Sequence, residues 1–132
     1  MDRDRDARSR ARNDRLFQIL EHDKLRGMKV VGFDVVTALI DREKRERPQQ
    51  YRALDRRIAA WKREVEQARW TKPTDIKATY GAADVVGNNR IVFDICGNRY
   101  RLIVQFNYVA QVARVRFAGT HAEYDDVDAT TV

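Results

Sequence analysis

Two guanidiniums, an imidazole and a phenol fall within one short stretch of this 132-residue chain, on Arg101, Arg116, His121 and Tyr124. Such a set can hold and cleave a phosphodiester. Arginines neutralise a phosphate, and an imidazole and a phenol carry protons, stack on a base or donate hydrogen bonds. RNA brings its own nucleophile, because a 2′-hydroxyl can attack the adjacent phosphorus. The protein then supplies a base, an acid and positive charge for the phosphorane-like transition state. No metal and no other cofactor is needed for that route. His121 is the natural proton carrier of the set. Arg101 is the candidate phosphate contact and Arg116 the second. Tyr124 reads either as a stacking or hydrogen-bonding group at the phosphate or as a core residue. Lys77 and Arg90 are candidate RNA contacts. Asn89 and Asn98 read as turn formers.

These residues need a sheet to position them. From Arg99 to Phe106 the chain alternates strictly. Tyr100, Leu102, Val104 and Phe106 point one way, and Arg99, Arg101, Ile103 and Gln105 the other, so this is a strand. The alternation returns with Ala113, Val115 and Phe117 opposite Val112, Arg114 and Arg116. It runs out at Gly119, just before His121. Two neighbouring strands therefore bring the four candidate residues towards one region. Upstream, Arg90–Ile95 is a third strand with Ile91, Phe93 and Ile95 on one face, and Ala83–Val86 an edge strand. Gly87-Asn88-Asn89 and Gly97-Asn98 make the turns.

The first half of the chain supplies helices to cover one face. Lys29–Phe33 is a short apolar run, read as a first strand. Asp34 is a good N-cap residue for the helix that follows, with Val35, Val36, Leu39 and Ile40 at helical spacing. It fades into the charged run Asp41–Arg47 and is interrupted at Pro48. Tyr51, Leu54, Ile58, Trp61, Val65 and Ala68 then form a narrow apolar stripe across Gln49–Arg69. Thr74-Asp75 caps one further turn, Ile76–Tyr80. Strand, helices and hairpins in this order make an α+β domain of two layers, with two N-terminal helices on one face of a twisted, mainly antiparallel sheet.

The charge is unevenly spread over the chain. Residues 28–122 carry 18 basic and 10 acidic side chains, whereas residues 123–132 carry four acids and no base. A basic body suits a polyanion such as RNA. Glu123, Asp125, Asp126 and Asp128 read as a solvated tail rather than a metal site. The single cysteine, Cys96, excludes an intrachain disulfide and reads as packed or half-exposed; a reducing cytoplasm fits. No run approaches the roughly 18 apolar residues of a membrane span. Residues 1–27 alternate Arg and Asp and then carry Leu16, Phe17, Ile19, Leu20 and Leu25. They read as a disordered or weakly helical N-terminal extension to a domain spanning 28–132. An early start codon accounts for such an extension; a basic arm that touches RNA is the other reading.

Several short pieces occur together in a telling order: Asp75-Ile76-Lys77, Ala83-Asp84-Val85, Asn88-Asn89-Arg90, Gly97-Asn98, Tyr100-Arg101-Leu102 and Arg116-Phe117-Ala118-Gly119-Thr120-His121-Ala122-Glu123-Tyr124-Asp125. With them the chain resembles the HigB type of toxin, within the RelE-like superfamily of mRNA interferases, over about Met28–Val132. The resemblance implies a small toxin that cuts mRNA, often on the ribosome, and so stops translation. It implies a neighbouring, HigA-like antitoxin related to helix-turn-helix repressors, and the RelE-like microbial RNase fold. It places an active-site arginine at Arg101, a second basic residue near His121 and a tyrosine at Tyr124. Many relatives carry arginine where this chain has His121. The alternatives to a nuclease are a non-catalytic basic RNA- or ribosome-binding module and an inactive relative of the toxins.

Overall fold

The strand over Arg99–Phe106 lies at the centre of the architecture. In a computed structural model of the chain, which describes residues 27–132, it forms β4 (Tyr100–Asn107). It pairs antiparallel with β3 (Arg90–Ile95) on one side and β5 (Val112–Thr120) on the other. β2 (Asp84–Val86) and β1 (Lys29–Val31) form the edges, so the sheet order is β1-β5-β4-β3-β2. Only β1 runs parallel to its neighbour, β5. The β2–β3 hairpin turns through Asn88 (φ 60°) and Asn89 (φ 58°). Both are left-handed residues of the three-residue loop Gly87-Asn88-Asn89 between the paired Val86 and Arg90, a conformation that asparagine tolerates. The expected disorder and short helix over residues 1–26 lie outside the described residues.

Two helices, α1 (Asp34–Glu46) and α2 (Pro48–Gln67), cover one face. The stripe read from the sequence is the one buried: Leu54, Ile58, Trp61 and Val65 pack with Val36 and Leu39 against Phe93, Leu102, Val104 and Phe106. Trp61 meets Phe93 edge-on, ring centroids 5.6 Å apart, a favoured aromatic geometry. Pro48 does not merely end α1. It opens α2 at a position where its missing N–H costs nothing. A short α3 (Pro73–Thr79) buries Ile76. This is the α+β, two-layer arrangement expected. One detail differs: Phe33, not Asp34, is the N-cap of α1, and no side chain caps it. Asp34 instead sits in the first turn, where its charge suits the helix dipole.

The alternation in β5 breaks within the strand. Ile103 faces Phe117, but its neighbour Val104 faces Val115. Arg116 is the extra residue of a β-bulge, and the side-chain parity changes across it. Phe117, expected beside Ala113 and Val115 on the helix-covered face, therefore lies on the opposite side with Arg101. Ala118 takes the place against the core.

At the acidic end of the chain Asp125, Asp126 and Asp128 are exposed, as read, but the segment is not a loose tail and Glu123 is half-buried. Thr120 caps α4 (His121–Asp125) and forms a capping box with Glu123. Beyond it, Asp128 Oδ1 accepts hydrogen bonds from the Thr130 backbone (2.9 Å) and hydroxyl (2.6 Å). The Asn88 amide donates to the Thr130 carbonyl at 2.7 Å, and Arg90 donates to the carbonyls of Ala129 and Val132. The segment thus runs back along the side of the sheet opposite the helices. Val92 and Ile103, a cross-strand pair on that side, are buried.

Candidate active site

On the face opposite α1 and α2, at one end, β4 sets Arg101 opposite Asp94 of β3 and Gly119 of β5. The Arg101 Nε lies 2.8 Å from Asp94 Oδ1, and Nη2 donates to Asn98 Oδ1 at 3.0 Å. Its Cζ sits 5.0 Å from the centre of the Tyr124 ring, a cation–π distance. The Tyr124 ring in turn leans on Phe117, 6.5 Å away. Phe117 reaches that place because of the bulge at Arg116. It also needs Gly119: a Cβ there would come 2.6 Å from the Phe117 ring.

His121 opens α4 just after Gly119-Thr120. Its backbone N–H donates to the Arg99 carbonyl at 2.9 Å, which pins the start of the helix to the head of β4. The imidazole is half-exposed. Its Nε2 lies 4.0 Å from Asp125 Oδ2, and Nδ1 has no hydrogen-bond partner among the described residues. Nδ1 is itself buried, so Nε2 is the ring nitrogen left to meet a ligand.

Among the six sequence candidates, Arg101 and Tyr124 are in contact, and His121 opens the same short helix as Tyr124, its backbone bonded to Arg99 beside Arg101. Arg116 does not join them. It sits on the bulge, exposed, with Nε and Nη2 donating to Gln105 Oε1 at 3.0 and 2.8 Å. Arg90 is buried, and its guanidinium binds tail carbonyls; burial and the nearby Arg116 charge lower its pKa. Lys77 spends its ammonium on the carbonyls of Gly81 (2.8 Å) and Ala83 (2.7 Å) at the end of α3. Cys96 is half-buried, and burial raises its thiol pKa, the opposite of what activates a nucleophile. Among the described residues no three His, Cys, Asp or Glu side chains gather as ligands for a metal ion.

The sequence reading missed the scaffold behind this cluster. Glu43 of α1 is wholly buried; its carboxylate accepts from the Tyr100 hydroxyl at 2.7 Å and from Arg47 Nη1 at 2.6 Å. Burial, then the bond to Glu43, pushes the Tyr100 phenol up to about 12, so it stays a donor. One residue earlier, Arg42 grips Glu123 through both guanidinium nitrogens, Nη1 at 2.9 Å. That bond, together with those from Thr120, pulls the Glu123 carboxyl down to about 2. The same helix therefore anchors the strand that carries Arg101 and the turn that carries His121 and Tyr124. A signal was present: Glu43 follows Val36 and Leu39 at 3-4 spacing, so it continues the buried stripe of α1.

No helix among the described residues is long and apolar enough to cross a membrane. No curated protein matches the chain. A family model, HigB toxin, described as the RelE-like toxic component of a toxin–antitoxin system, matches residues 54–127. The match takes in β2 to β5, α4 and the whole Arg101–His121–Tyr124 cluster. The chain belongs to the HigB toxin family and is the toxin component of a toxin–antitoxin system, a family that implies an antitoxin partner.

Proposed function

We propose that this toxin is an endoribonuclease that cleaves mRNA, on the ribosome in the cytoplasm, and so inhibits translation. The antitoxin that silences it is a HigA-like helix-turn-helix protein encoded nearby. The observation that carries the reading is the contact of Arg101 with Tyr124, Arg101 Cζ 5.0 Å from the Tyr124 ring, on the short helix that His121 opens. Arg101 binds the scissile phosphate and stabilises the charge that builds on its oxygens. The 2′-hydroxyl on the 5′ side of that phosphate attacks phosphorus and loses its proton to a base. The 5′-oxygen leaves and takes a proton from an acid. His121 is one of this pair, and Tyr124 stacks on a flanking base or donates to the phosphate. The products are a 2′,3′-cyclic phosphate and a 5′-hydroxyl end, and the route uses no divalent metal.

The test is cleavage of RNA by the purified toxin in EDTA, with the new ends identified. His121→Ala should lose roughly 10²–10⁴-fold in rate while RNA binding changes little. His121→Gln, which keeps a hydrogen bond but cannot titrate, should be nearly as slow and should remove one limb of the pH–rate profile. A 5′-phosphate product or an absolute magnesium requirement would overturn the mechanism. The ion pair between Arg101 and Asp94 favours a second reading, a non-catalytic RNA-binding relative in which Arg101 is structural. An Arg101→Ala protein that binds RNA like the parent, with neither cutting it, would support that reading.

A further inference from the structure

The far end of the same sheet face carries a groove that the cleavage cluster does not use. Two register pairs of β4 and β5 floor it, Gln105 with Arg114 and Asn107 with Val112. Asn89 closes one side and Val109, at the tip of the β4–β5 turn, the other. Its volume is about 580 Å³, within the ordinary range for small-ligand sites. Among the described residues no carboxylate lines it. Arg114 is exposed and takes part in no ion pair among the described residues. Asn107 uses its Oδ1 on the Ala110 backbone and keeps its amide nitrogen for another acceptor. Val109 is 98% exposed, an apolar surface at the rim of a polar floor.

We infer that this groove is a second nucleotide-binding subsite, which holds RNA a few nucleotides away from the phosphate that reacts. Arg114 neutralises a backbone phosphate. The amides of Asn89 and Asn107 meet the edge of an unpaired base, and Val109 packs on its face. The two sites share one face. Arg114 stands opposite Gln105, four residues along β4 from Arg101, or ~13 Å at ~3.3 Å per residue. Arg116 lies between them, hydrogen-bonded to Gln105. Ile103, between Arg101 and Gln105 on β4, is buried, so a single strand joining the two sites runs along β5, past the exposed Arg116.

The inference rests on the RNA reading of the cluster, and its test keeps the two apart. The full chain would be titrated with 2′-O-methyl RNA, which lacks the attacking hydroxyl, as a dinucleotide and as an octamer. The parent should bind the octamer on the order of tenfold or more tightly. Arg114→Ala should remove most of that gain, leave dinucleotide binding unchanged and reduce the salt slope by about one. Val109→Asp, a change at a solvent-exposed tip that the fold tolerates, should weaken the octamer alike. A parent that binds both lengths equally, or variants that bind the octamer like the parent, would overturn the subsite. So would variants that bind the octamer normally but no longer co-purify with a co-expressed antitoxin, which would assign the groove to a protein partner. A parent that binds the octamer with the expected gain but leaves unmodified RNA uncut would remove the nuclease reading and keep the subsite.

Discussion

Tyr100 and Arg101 are neighbours in sequence and opposites in circumstance. One step along β4 puts the phenol on the helix-covered face and the guanidinium on the other. Tyr100 is buried, and its hydroxyl is spent on Glu43, itself held by Arg47. Arg101 keeps 14% of its side chain exposed, shares Asp94 and Asn98, and leaves Nη1 without a hydrogen bond among the described residues. The first cluster is closed and satisfied; a buried carboxylate demands that. The second keeps a charged donor facing solvent, which a phosphate can take up without first breaking a buried network. Stability and chemistry are thus divided between two sides of one strand.

The sharpest way to break that contrast is at Glu43. Glu43→Ala leaves Arg47 and the Tyr100 hydroxyl without their shared acceptor and opens space beneath α1, so unfolding in urea should show a loss of about 3–5 kcal/mol. A variant as stable as the parent would mean that the buried network holds nothing together. Arg101→Ala tests the other side. Its barrier to RNA cleavage should rise by about 2–4 kcal/mol, whereas stability should fall by only about 1 kcal/mol, the worth of a partly exposed pair with Asp94. Equal losses in both measurements would place Arg101 with the scaffold.

The smallest effect belongs to the tie between the two sides. The Glu123 carboxyl, held by Arg42, is drawn from 4.5 down to about 2. A depressed carboxyl stabilises the fold above its unfolded value. That contribution is lost as pH falls from about 4.5 towards 2. Glu123 is 42% exposed, so solvent screening keeps the contribution to about 1 kcal/mol or less. Glu123→Gln should therefore cost little near neutral pH and flatten the acid limb of stability measured by thermal melting. An unchanged acid limb would show that another carboxyl controls it.

Much of the helix-covered side could be read from the sequence, because burial there follows period. The stripe Leu54, Ile58, Trp61 and Val65 and the run Ile91, Phe93 and Ile95 behave as their spacing requires. The opposite side was legible only as far as local rules hold. Arg101 and Tyr124 meet, and His121 starts the helix that carries Tyr124, since the strand end and the Thr120 cap are local features. The face of Phe117 was misread, because a bulge depends on how two strands register and leaves no mark in one of them. Glu123 was read as solvated and Glu43 passed over in a charged run; their partners, Tyr100 and Arg42, are 57 and 81 residues away along the chain. The acids after α4, Asp126 and Asp128, are exposed as read, but the order of their segment was missed for the same reason. Their segment is tied down by Asn88 and Arg90, from the far end of the sheet.

The single extra residue at Arg116 also governs how this chain can be compared with its kin. In a relative whose last strand is regular, the stretch that matches Phe117–Thr120 would occupy the same sheet side one position earlier. An alignment without a gap at Arg116 would then pair core residues with site residues for four positions in a row. It would count Phe117 as a replaced core residue and hide the loss of a ring that supports Tyr124. Conservation across this stretch has meaning only after relatives are sorted by whether they carry the insertion, and the gap belongs between Val115 and Phe117.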